Sequence, residues 1–365
     1  MGTRDDGAEG VMNPKSFLIV SLRYIGDVLL STPLARSIRA AFPEAAVDYL
    51  VFEGTETILT GNPDVREVLT VPPGSRAVGG LLRRWKRYDV SVGVNASDRT
   101  AFQVIAAGKT SVGFADPRPK EWWKKRAFSH CSVYDPDKHV VELLLGQLRY
   151  LGIPPVPEVS VPVRDNDRAG ATRACGGEEF VLLHPYTRWE YKKWPSVHWA
   201  RLSGRIEREM GIRTLFTVAP GSFERRIREE LAEAGVDESR FAPGPLTLGQ
   251  AAALVAIAEA YVGIDTVITH MAAALGRRTV AIFGPTPPWR WGPWPNGHPV
   301  STPYDHRGGT QRKGNIAIVQ KDWDCVACDR MGCDHTPESA SRCLVELSVE
   351  EVYSELFLLM NSREA

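Results

Sequence analysis

SFLIVSLRYIGDVLLSTPLARSIRAAF, residues 16–42, decides the fold, because it joins an apolar run to an amphipathic segment through a single turn. The run Ser16–Leu22 predicts a short buried strand, and it ends at a turn that contains Gly26. From Asp27 to Phe42, apolar residues recur at helical spacing: Leu30, Leu34, Ile38 and Phe42. A strand followed by a turn and a helix is the repeating unit of a parallel α/β sheet.

The same alternation continues along both halves of the chain. In the first half it predicts strands at Val47–Phe52, Glu67–Val71 and Asp89–Val94, a basic helical stretch before the last of these, and a helix at His139–Leu151. After a proline-rich stretch at 154–167 the second half restarts, with strands at Phe180–His184, Arg213–Val218, Tyr261–Ile264 and Thr279–Phe283 and helices at Pro195–Met210, Ser222–Ala234, Leu248–Ala258 and Thr266–Leu275.

We therefore expect an α/β protein with two Rossmann-like parallel-sheet domains that face a central cleft. The expected boundaries are a disordered tail at 1–13, an N-terminal Rossmann-like domain at 14–165, a C-terminal Rossmann-like domain at 166–347 and a C-terminal segment at 348–365. The last helix, near Val349–Leu359, is expected to pack back onto the first domain. Ligands of such sheets bind at the carboxyl ends of the strands.

Composition narrows the class of protein. The 365 residues and 43% hydrophobic content suit two ordinary domains, and 44 basic against 44 acidic residues exclude a nucleic-acid binder that relies on overall charge. No signal-peptide pattern is visible, and no apolar run approaches the ~18–20 residues of a membrane span. Six cysteines in a chain of this size fit a reducing compartment. We expect a soluble, cytoplasmic protein.

The turn Arg23-Tyr24-Ile25-Gly26-Asp27 is the first candidate site. Gly26 allows a tight turn or a close ligand, and Asp27 stands where a helix N-terminus favours an ionised carboxylate. Such a carboxylate can accept a proton from a sugar hydroxyl. The alternative is an ordinary N-cap aspartate.

Two further candidates lie in the second half. Thr187 follows the strand that ends at His184, and Lys192 offers a point charge suited to a diphosphate, although a solvated basic loop fits the same residues. Asp265 and Thr266 stand at a strand-to-helix turn, where a helix N-terminus can bind an anion. His270, one turn into that helix, is by itself more typical of a structural histidine.

Four cysteines follow the pattern Cys325-x2-Cys328-x4-Cys333-x9-Cys343. This spacing permits a zinc site but differs from a standard finger, so structural thiols or a disulfide are the preferred interpretation.

Two basic–aromatic stretches, Arg83-Arg84-Trp85-Lys86-Arg87 and Trp122-Trp123-Lys124-Lys125-Arg126, occur in the first half. Clustered cations with Trp suit an anionic amphiphile or a lipid surface, and two solvated faces are the alternative.

Several common motifs are missing. No G-x-G-x-x-G follows the first strand and there is no Walker A sequence, which disfavours an oxidoreductase and an NTPase. The Asp-x-Asp triplets, at 135/137, 165/167 and 322/324, lie near proline or in loops, and they imply no metal-bound diphosphate.

Taken together, these segments resemble glycosyltransferase family 9, the ADP-heptose:lipopolysaccharide heptosyltransferases. The resemblance runs from about Lys15 to Leu359 and lies in four motifs that occur in order: RYIGDVLL at 23–30, KKWP at 192–195, GIDT with HMAAA at 263–274, and IFGPT at 282–286. With RWGPW at 290–294, the pattern is most similar to the heptosyltransferase III type.

The resemblance implies a GT-B fold and an inverting reaction without a metal or other cofactor. It assigns Asp27 as the general base that activates the acceptor hydroxyl. It also implies a donor site in which Lys192 and Thr187 contact the diphosphate, Glu224 the ribose, Leu246 the adenine, and Asp265 and Thr266 the sugar and phosphates, with His270 beside them. One departure concerns Val267, which replaces the glycine that usually follows Asp-Thr.

The implied reaction transfers heptose from ADP-L-glycero-β-D-manno-heptose to a lipid-linked inner-core lipopolysaccharide acceptor. Such an acceptor places the enzyme at the inner leaflet of the inner membrane as a peripheral protein, with Arg23, Lys124, Lys125 and Arg126 expected on the acceptor side. The alternatives are a GT-B transferase or epimerase that uses another nucleotide sugar, and a nucleotide-sugar binding protein without activity.

Overall fold

The computed structural model describes residues 13–74, 81–217 and 221–362. The expected tail at 1–13 lies, except for Asn13, outside these residues, as does Val218 at the end of an expected strand.

The first half of the described chain builds one sheet with its covering helices. Its elements are β1 Ser16–Ser21, α1 Ile25–Leu30, α2 Thr32–Ala41, β2 Ala46–Phe52, β3 Glu67–Val71, β4 Tyr88–Gly93, α3 Asp98–Ala107, β5 Gly108–Ala115, α4 Trp122–Ala127, β6 His130–Val133 and α5 Val140–Gly146. Within the described residues this sheet has six parallel strands in the order β3-β2-β1-β4-β5-β6.

The second half repeats the plan. Its elements are α6 Asp165–Cys175, β7 Phe180–His184, α7 Ser196–Met210, β8 Arg213–Phe216, α8 Ser222–Glu233, α9 Leu248–Ile257, β9 Ala260–Ile264, α10 Val267–Ala274, β10 Arg278–Ile282, α11 Pro288–Trp291, β11 Gln311–Lys313, β12 Ile316–Val319, α12 Arg342–Val345 and α13 Val349–Asn361. The strand order in the described part is β11-β12-β10-β9-β7-β8, and β11 runs antiparallel to β12 at the edge.

β1 shows why such strands are apolar throughout. Phe17 and Ile19 belong to one buried cluster, whereas Leu18 and Val20 belong to another on the opposite face of the sheet. Successive side chains of a strand point to opposite faces, so a sheet covered by helices on both sides requires apolar residues at every position. The fully apolar run at 17–20 is the sequence signature of that arrangement.

The strand order of each sheet predicts where a ligand-binding crevice lies. In the first sheet the order of strand addition reverses between β1 and β4, and in the second sheet it reverses between β7 and β9. In open parallel sheets ligands bind at the carboxyl ends of the strands where the order reverses. The turn after β1 and the loops after β7 and β9 are therefore the expected ligand-binding positions.

Some expected elements differ from those observed. The single helix expected at Asp27–Phe42 is split at Ser31, because α2 has Pro33 in its first turn, where a missing N–H is tolerated. The helix expected at His139–Leu151 is α-helical only from Val140 to Gly146 and then tightens into a 3-10 turn. Helix α6 begins at Asp165, before the end of the proline-rich stretch at 154–167.

The expectation that the last helix returns to the first domain is wrong. In α13, Val352, Leu356 and Leu359 are buried in the apolar cluster of the second half, against α7 and β10. These residues lie on one face of the helix at four- and three-residue spacing, and the second sheet offers the adjacent apolar surface. The Nε1 group of Trp194 also donates to the Leu347 carbonyl, 2.9 Å away, just before α13.

The segment after α11 joins the two halves. His139 is fully buried, donates from Nε2 to the Gly292 carbonyl at 2.9 Å and lies 4.9 Å from the Trp294 ring. Trp294 donates to the Pro157 carbonyl at 2.8 Å, and Asn296 exchanges two hydrogen bonds with the Val159 backbone. We name 292–296 the junction segment. In the described part of the chain no helix is long and apolar enough to cross a membrane.

Candidate active site

A cleft of about 1830 Å³ lies between the two halves and is lined by both. The first half contributes the turn after β1 and the loops after β2, β3 and β4, and the second half contributes the loops after β7, β8, β9 and β10. All these segments follow carboxyl ends of strands. The cleft is therefore the shared crevice that the strand order predicts.

Asp27 lies in the first turn of α1, on the first-half wall. The N-cap of this helix is Tyr24, so the interpretation of Asp27 as an ordinary N-cap is wrong. The Asp27 side chain is 14% exposed, and its Oδ1 lies 3.3 Å from Arg23 Nε. A Cβ atom built on Gly26 would meet no atom within 4 Å, which leaves the backbone beside Asp27 open to a ligand.

The electrostatics of Asp27 suit a base. Burial raises the pKa of this carboxyl, and Arg23, hydrogen bonds to the backbone and the more distant Arg290 offset only part of that effect. A carboxylate whose pKa lies above its ordinary value binds a proton more readily than a solvated one.

Lys192 and Asp265 form an ion pair on the second-half wall. Lys192 Nζ lies 2.5 Å from Asp265 Oδ2, which also accepts a hydrogen bond from Thr286 Oγ1 at 2.8 Å. Burial alone would raise the pKa of Asp265, but Lys192 and its hydrogen bonds hold it below the ordinary value. Burial likewise lowers the pKa of Lys192, and Asp265 raises it overall. Both groups are therefore charged at neutral pH.

His270 lies beside this pair and lines the cleft. Its side chain is buried, and its Nδ1 has no hydrogen-bond partner. Burial lowers the pKa of His270 to about 4, although Asp265 opposes the effect. The ring is thus neutral at physiological pH, and its buried Nδ1 is unpaired.

The remaining donor-site candidates line the same cleft: Thr187, Glu224, Leu246, Thr266 and Val267. Thr187 Oγ1 accepts a hydrogen bond from the Trp189 backbone N–H at 3.1 Å, which fixes the loop after β7. Thr266 is the N-cap of α10, so the cleft meets the end of a helix where backbone N–H groups lack helical partners.

Comparison with known proteins decides the family. The sequence profile described as glycosyltransferase family 9 (heptosyltransferase) matches residues 81–309. The chain belongs to glycosyltransferase family 9.

Relatives of known structure and name agree with this assignment. Lipopolysaccharide heptosyltransferase 1 of Pseudomonas aeruginosa is 26% identical, with 92% of each chain covered. Lipopolysaccharide heptosyltransferase 3 of Escherichia coli is 25% identical, with 75% of this chain and 85% of that protein covered. The structure of the ADP-heptose LPS heptosyltransferase II of E. coli superposes with a TM-score of 0.72 at 20% identity, with 96% of this chain and 100% of that chain covered.

The protein is therefore a glycosyltransferase of the heptosyltransferase family with a GT-B fold of two Rossmann-like halves. The expected family and fold are confirmed. The expectation of a heptosyltransferase III type stays a prediction, because the relatives of types 1 and 3 are almost equally similar in sequence.

The structure corrects one acceptor-site residue of this family 9 enzyme. Lys124, expected as an exposed cation, is only 1% exposed, and its Nζ contacts Asp98 at 2.7 Å, Glu121 and the Ala96 carbonyl. It is a structural residue that anchors α4. Lys125 and Arg126 are exposed but do not line the cleft, whereas Arg23 does.

The cysteine motif encloses a loop that reaches the cleft. The four cysteines are free thiols, three of them exposed, and burial together with the neighbouring thiols raises the pKa of Cys343 to about 12. Among residues 13–74, 81–217 and 221–362, no His, Cys, Asp or Glu cluster is arranged to hold a metal ion. Between Cys328 and Cys333, Asp329, Arg330 and Met331 line the cleft.

Two arginines that line the cleft were not predicted as site residues from the sequence. Arg290 donates to Tyr134 Oη from Nη2 at 3.1 Å and contacts Asp329 Oδ2 at 3.3 Å. The Arg188 guanidinium lies 5.3 Å from the Tyr24 ring of the other half and 5.1 Å from the Trp189 ring. Arg188 lies in the loop after β7 and Arg290 in the short helix α11, both among aromatic residues, but no local pattern separates such an arginine from a solvated one.

Proposed function

We propose that this enzyme transfers heptose from ADP-L-glycero-β-D-manno-heptose to an inner-core lipopolysaccharide acceptor, with inversion and without a metal ion. The observation that carries the proposal is the position of Asp27 on one wall of the cleft and of the Lys192–Asp265 pair on the other. A base and a phosphate-binding cation on opposite walls suit attack on one face of a sugar whose leaving group departs from the other face.

In the proposed step, Asp27 accepts the proton of an acceptor hydroxyl as that oxygen bonds to the anomeric carbon of the heptose. The bond from this carbon to the diphosphate oxygen breaks, and its electron pair leaves with ADP. Lys192 and the N-terminus of α10 at Thr266 stabilise the new negative charge, since both present positive charge to a partly buried site.

The resemblance to family 9 assigns the donor's other parts to residues that line the cleft. We assign the diphosphate to Thr187 with Lys192, the ribose to Glu224 and the adenine to Leu246, and the sugar to Asp265, Thr266 and His270. His270 is neutral, so it lines the donor site without adding a charge that would compete with Lys192. Val267 adds a side chain at the helix end, which narrows the space for the donor.

The acceptor is assigned to the first half, beside Arg23. We place the enzyme in the cytoplasm, peripherally on the inner leaflet, with Lys125, Arg126 and the exposed Trp122 towards the lipid. The Trp122 side chain is 61% exposed, and the Arg126 guanidinium lies 5.7 Å from its ring. A Trp that stays exposed beside cations suits the boundary between anionic headgroups and acyl chains.

The test is a donor screen by thermal shift followed by a transfer assay. A bound nucleotide sugar stabilises the fold by ~2.7 kcal/mol at 100 times its Kd, so ADP-, UDP-, GDP- and CMP-sugars can be ranked in one experiment. We expect stabilisation by ADP and ADP-heptose and a heptosylated product with inverted anomeric configuration. Selective binding of another nucleotide, an epimerised sugar, or binding without turnover would each contradict the proposal in a different way.

A further inference from the structure

Arg188 belongs to the second half of the molecule but contacts the first half. It lies in the loop after β7, and its guanidinium carbon is 5.3 Å from the centre of the Tyr24 ring and 5.1 Å from that of the Trp189 ring. All three residues line the cleft. A cation–π contact holds a guanidinium by its face and leaves the N–H groups at its edge to bind an anion.

The loop that carries Arg188 is held by its own contacts. The Trp189 backbone N–H donates to Thr187 Oγ1 at 3.1 Å, and the Trp189 carbonyl accepts the Lys192 backbone N–H at 3.0 Å. The Trp189 ring also lies 6.0 Å from the Tyr191 ring. The ring against which Arg188 lies is therefore part of the loop that supplies Lys192 to the second-half wall.

The other ring belongs to the turn that carries Asp27. Tyr24 is the N-cap of α1, and its carbonyl accepts the Asp27 backbone N–H at 3.0 Å. Arg188 therefore extends from the second-half wall to the turn that holds the proposed base.

Arg188 differs from most other cations of the cleft because it has no carboxylate partner. In the described part of the chain, its side chain forms neither an ion pair nor a hydrogen bond. Arg99 and Arg330 also lack a carboxylate partner, but Arg99 donates to the Gly74 carbonyl and Arg330 contacts His335 Nε2. The other cleft cations are paired: Arg23–Asp27, Arg164–Asp167, Lys192–Asp265 and Arg290–Asp329.

We propose that Arg188 binds an acid group of the acceptor sugar, a carboxylate or a phosphate, and so presents the neighbouring hydroxyl to Asp27. This inference rests on the proposed function. A guanidinium binds either acid group through two parallel hydrogen bonds, which fix the orientation of the sugar as well as its position. The half that carries the proposed donor site thus also supplies a specificity-determining residue for the acceptor.

The donor diphosphate is the other anion near this loop, because Thr187 and Lys192 are proposed to bind it. The contacts favour the acceptor. The Arg188 guanidinium lies against Tyr24 of the first-half wall, whereas the Lys192 ammonium lies against Asp265 of the second-half wall. The two cations therefore serve different parts of the cleft.

The experiment measures binding by calorimetry with two lipid-free inner-core oligosaccharides, one with its acid groups intact and the same one after carboxyl reduction and dephosphorylation. Arg188→Met should weaken binding of the acidic form about 10- to 100-fold and leave binding of the neutral form and of ADP unchanged. Arg188→Lys keeps the charge but not the planar fork, so its affinity for the acidic form should be intermediate. Arg201→Met, exposed on α7 and outside the cleft, is the matched control and should change none of these affinities.

Variants of Tyr24 test whether this ring positions Arg188. Tyr24 is 57% exposed and its side chain makes no capping hydrogen bond, so Tyr24→Ala should leave the fold intact. It should weaken binding of the acidic form about 2- to 5-fold and add nothing in the Arg188→Met background. Tyr24→Phe keeps the ring and should bind as the wild type does. Fully additive losses would contradict a positioning role for Tyr24.

Three results would overturn the assignment of Arg188. Unchanged affinity of Arg188→Met for the acidic form, or equal losses for the acidic and neutral forms, would mean that Arg188 recognises no acid group. A matching loss of ADP affinity would assign the residue to the donor. If the wild type binds neither oligosaccharide, the proposed function fails together with the inference. If the wild type binds the acidic form and Arg188→Met binds it equally well, only the inference fails.

Discussion

Asp27 is the residue on which the proposed chemistry depends most directly. We expect Asp27→Asn to reduce kcat by ~10²–10⁴, because an amide cannot accept the hydroxyl proton, whereas ADP affinity should change little since the residues proposed to bind the donor line the other wall. Transfer kinetics and calorimetry with ADP measure the two effects.

Asp137→Asn is the control for this change, because Asp137 is exposed in the loop before α5. It should leave both quantities unaltered. Near-normal turnover of the Asp27→Asn enzyme would assign the base to another residue.

Lys192 is expected to matter for both binding and stability. The pKa of Asp265 lies below its ordinary value of 3.8, so the pair stabilises the fold fully above that value and loses its effect as the pH falls through the lower, folded pKa. Lys192→Met should cost ~2–4 kcal/mol at pH 7, less than a fully buried pair because Lys192 is 21% exposed.

Urea unfolding at several pH values checks this prediction, and ADP affinity should fall in parallel. The double variant Lys192→Met/Asp265→Asn should recover most of the stability but not the binding, because it removes the unpaired charge without restoring the cation. If ADP binding also recovers, the phosphate contact belongs elsewhere.

At the scale of single residues, the sequence predicted the cleft position of Asp27, Asp265 and Thr266 because each follows a strand at a turn, and that of Lys192 through its basic loop after β7. It did not predict that Lys124 is buried, since its partner Asp98 begins a different helix and no local pattern records that contact. Arg290 was missed for the same reason: its partners Tyr134 and Asp329 are distant along the chain.

Helix α4 shows two adjacent lysines with opposite roles. Lys124 is almost completely buried against Glu121 and Asp98, whereas Lys125 is exposed. We expect Lys124→Ala to destabilise the protein by ~3–5 kcal/mol, because it leaves Glu121 buried without its partner, and Lys125→Ala to change stability by less than about 0.5 kcal/mol. Thermal unfolding distinguishes them.

The same helix provides the test of membrane binding. Lys125→Glu with Arg126→Glu should weaken co-sedimentation with anionic vesicles at low salt, by about 1 kcal/mol for each lost cation, and leave unfolding almost unchanged. If the two charge reversals leave vesicle binding unchanged, this face is an ordinary solvated surface.

Element type was more predictable than element ends. β3 and β7 have the expected bounds, because each is a short run rich in Val and Leu that ends directly before a proline. The edge strand β6 and the strand β12, which lies between β11 and β10, were not recognised: each has four residues, too few for a periodic signal. The break between α1 and α2 was missed because Ser31 and Pro33 interrupt the helix without interrupting its apolar face.

For the whole molecule, buried histidines predict how stability depends on pH. Burial lowers the pKa of His139 to about 3 and of His184 to about 3, both below the ordinary 6.5. The unfolded chain binds protons below about pH 6.5 and the folded chain does not, so stability is complete above that pH and declines as the pH falls towards the folded values. Each such histidine contributes a slope of up to ~1.4 kcal/mol per pH unit.

Chemical denaturation of the wild type and of His139→Asn between pH 7 and pH 5 measures this slope. The variant should be less stable at pH 7, because the bond to Gly292 in the junction segment is weakened, and it should lose stability less steeply on acidification. Parallel curves for the two proteins would mean that His139 titrates normally.

The two-halved organisation of the whole chain followed from the repeated alternation of strand and helix, but the packing of the halves did not. α13 was expected on the first domain, and its apolar face instead completes the second. An amphipathic pattern predicts that one face of a helix is buried. It does not predict which surface of the protein that face packs against. The contacts of the junction segment could not be predicted from the sequence either, because Trp294 and His139 lie far apart along the chain and come into contact only in the folded protein.

The central position of β1 has a consequence during synthesis. Val20 pairs with Leu50 on one side and with Gly93 on the other, so the strand that precedes Asp27 acquires its second neighbour only after β4 has left the ribosome. At ~5–20 residues per second, the nascent chain holds a half-paired apolar strand for several seconds. During that interval its exposed edge is a natural client for a chaperone, and the rate of translation through residues 21–93 should influence the yield of active enzyme.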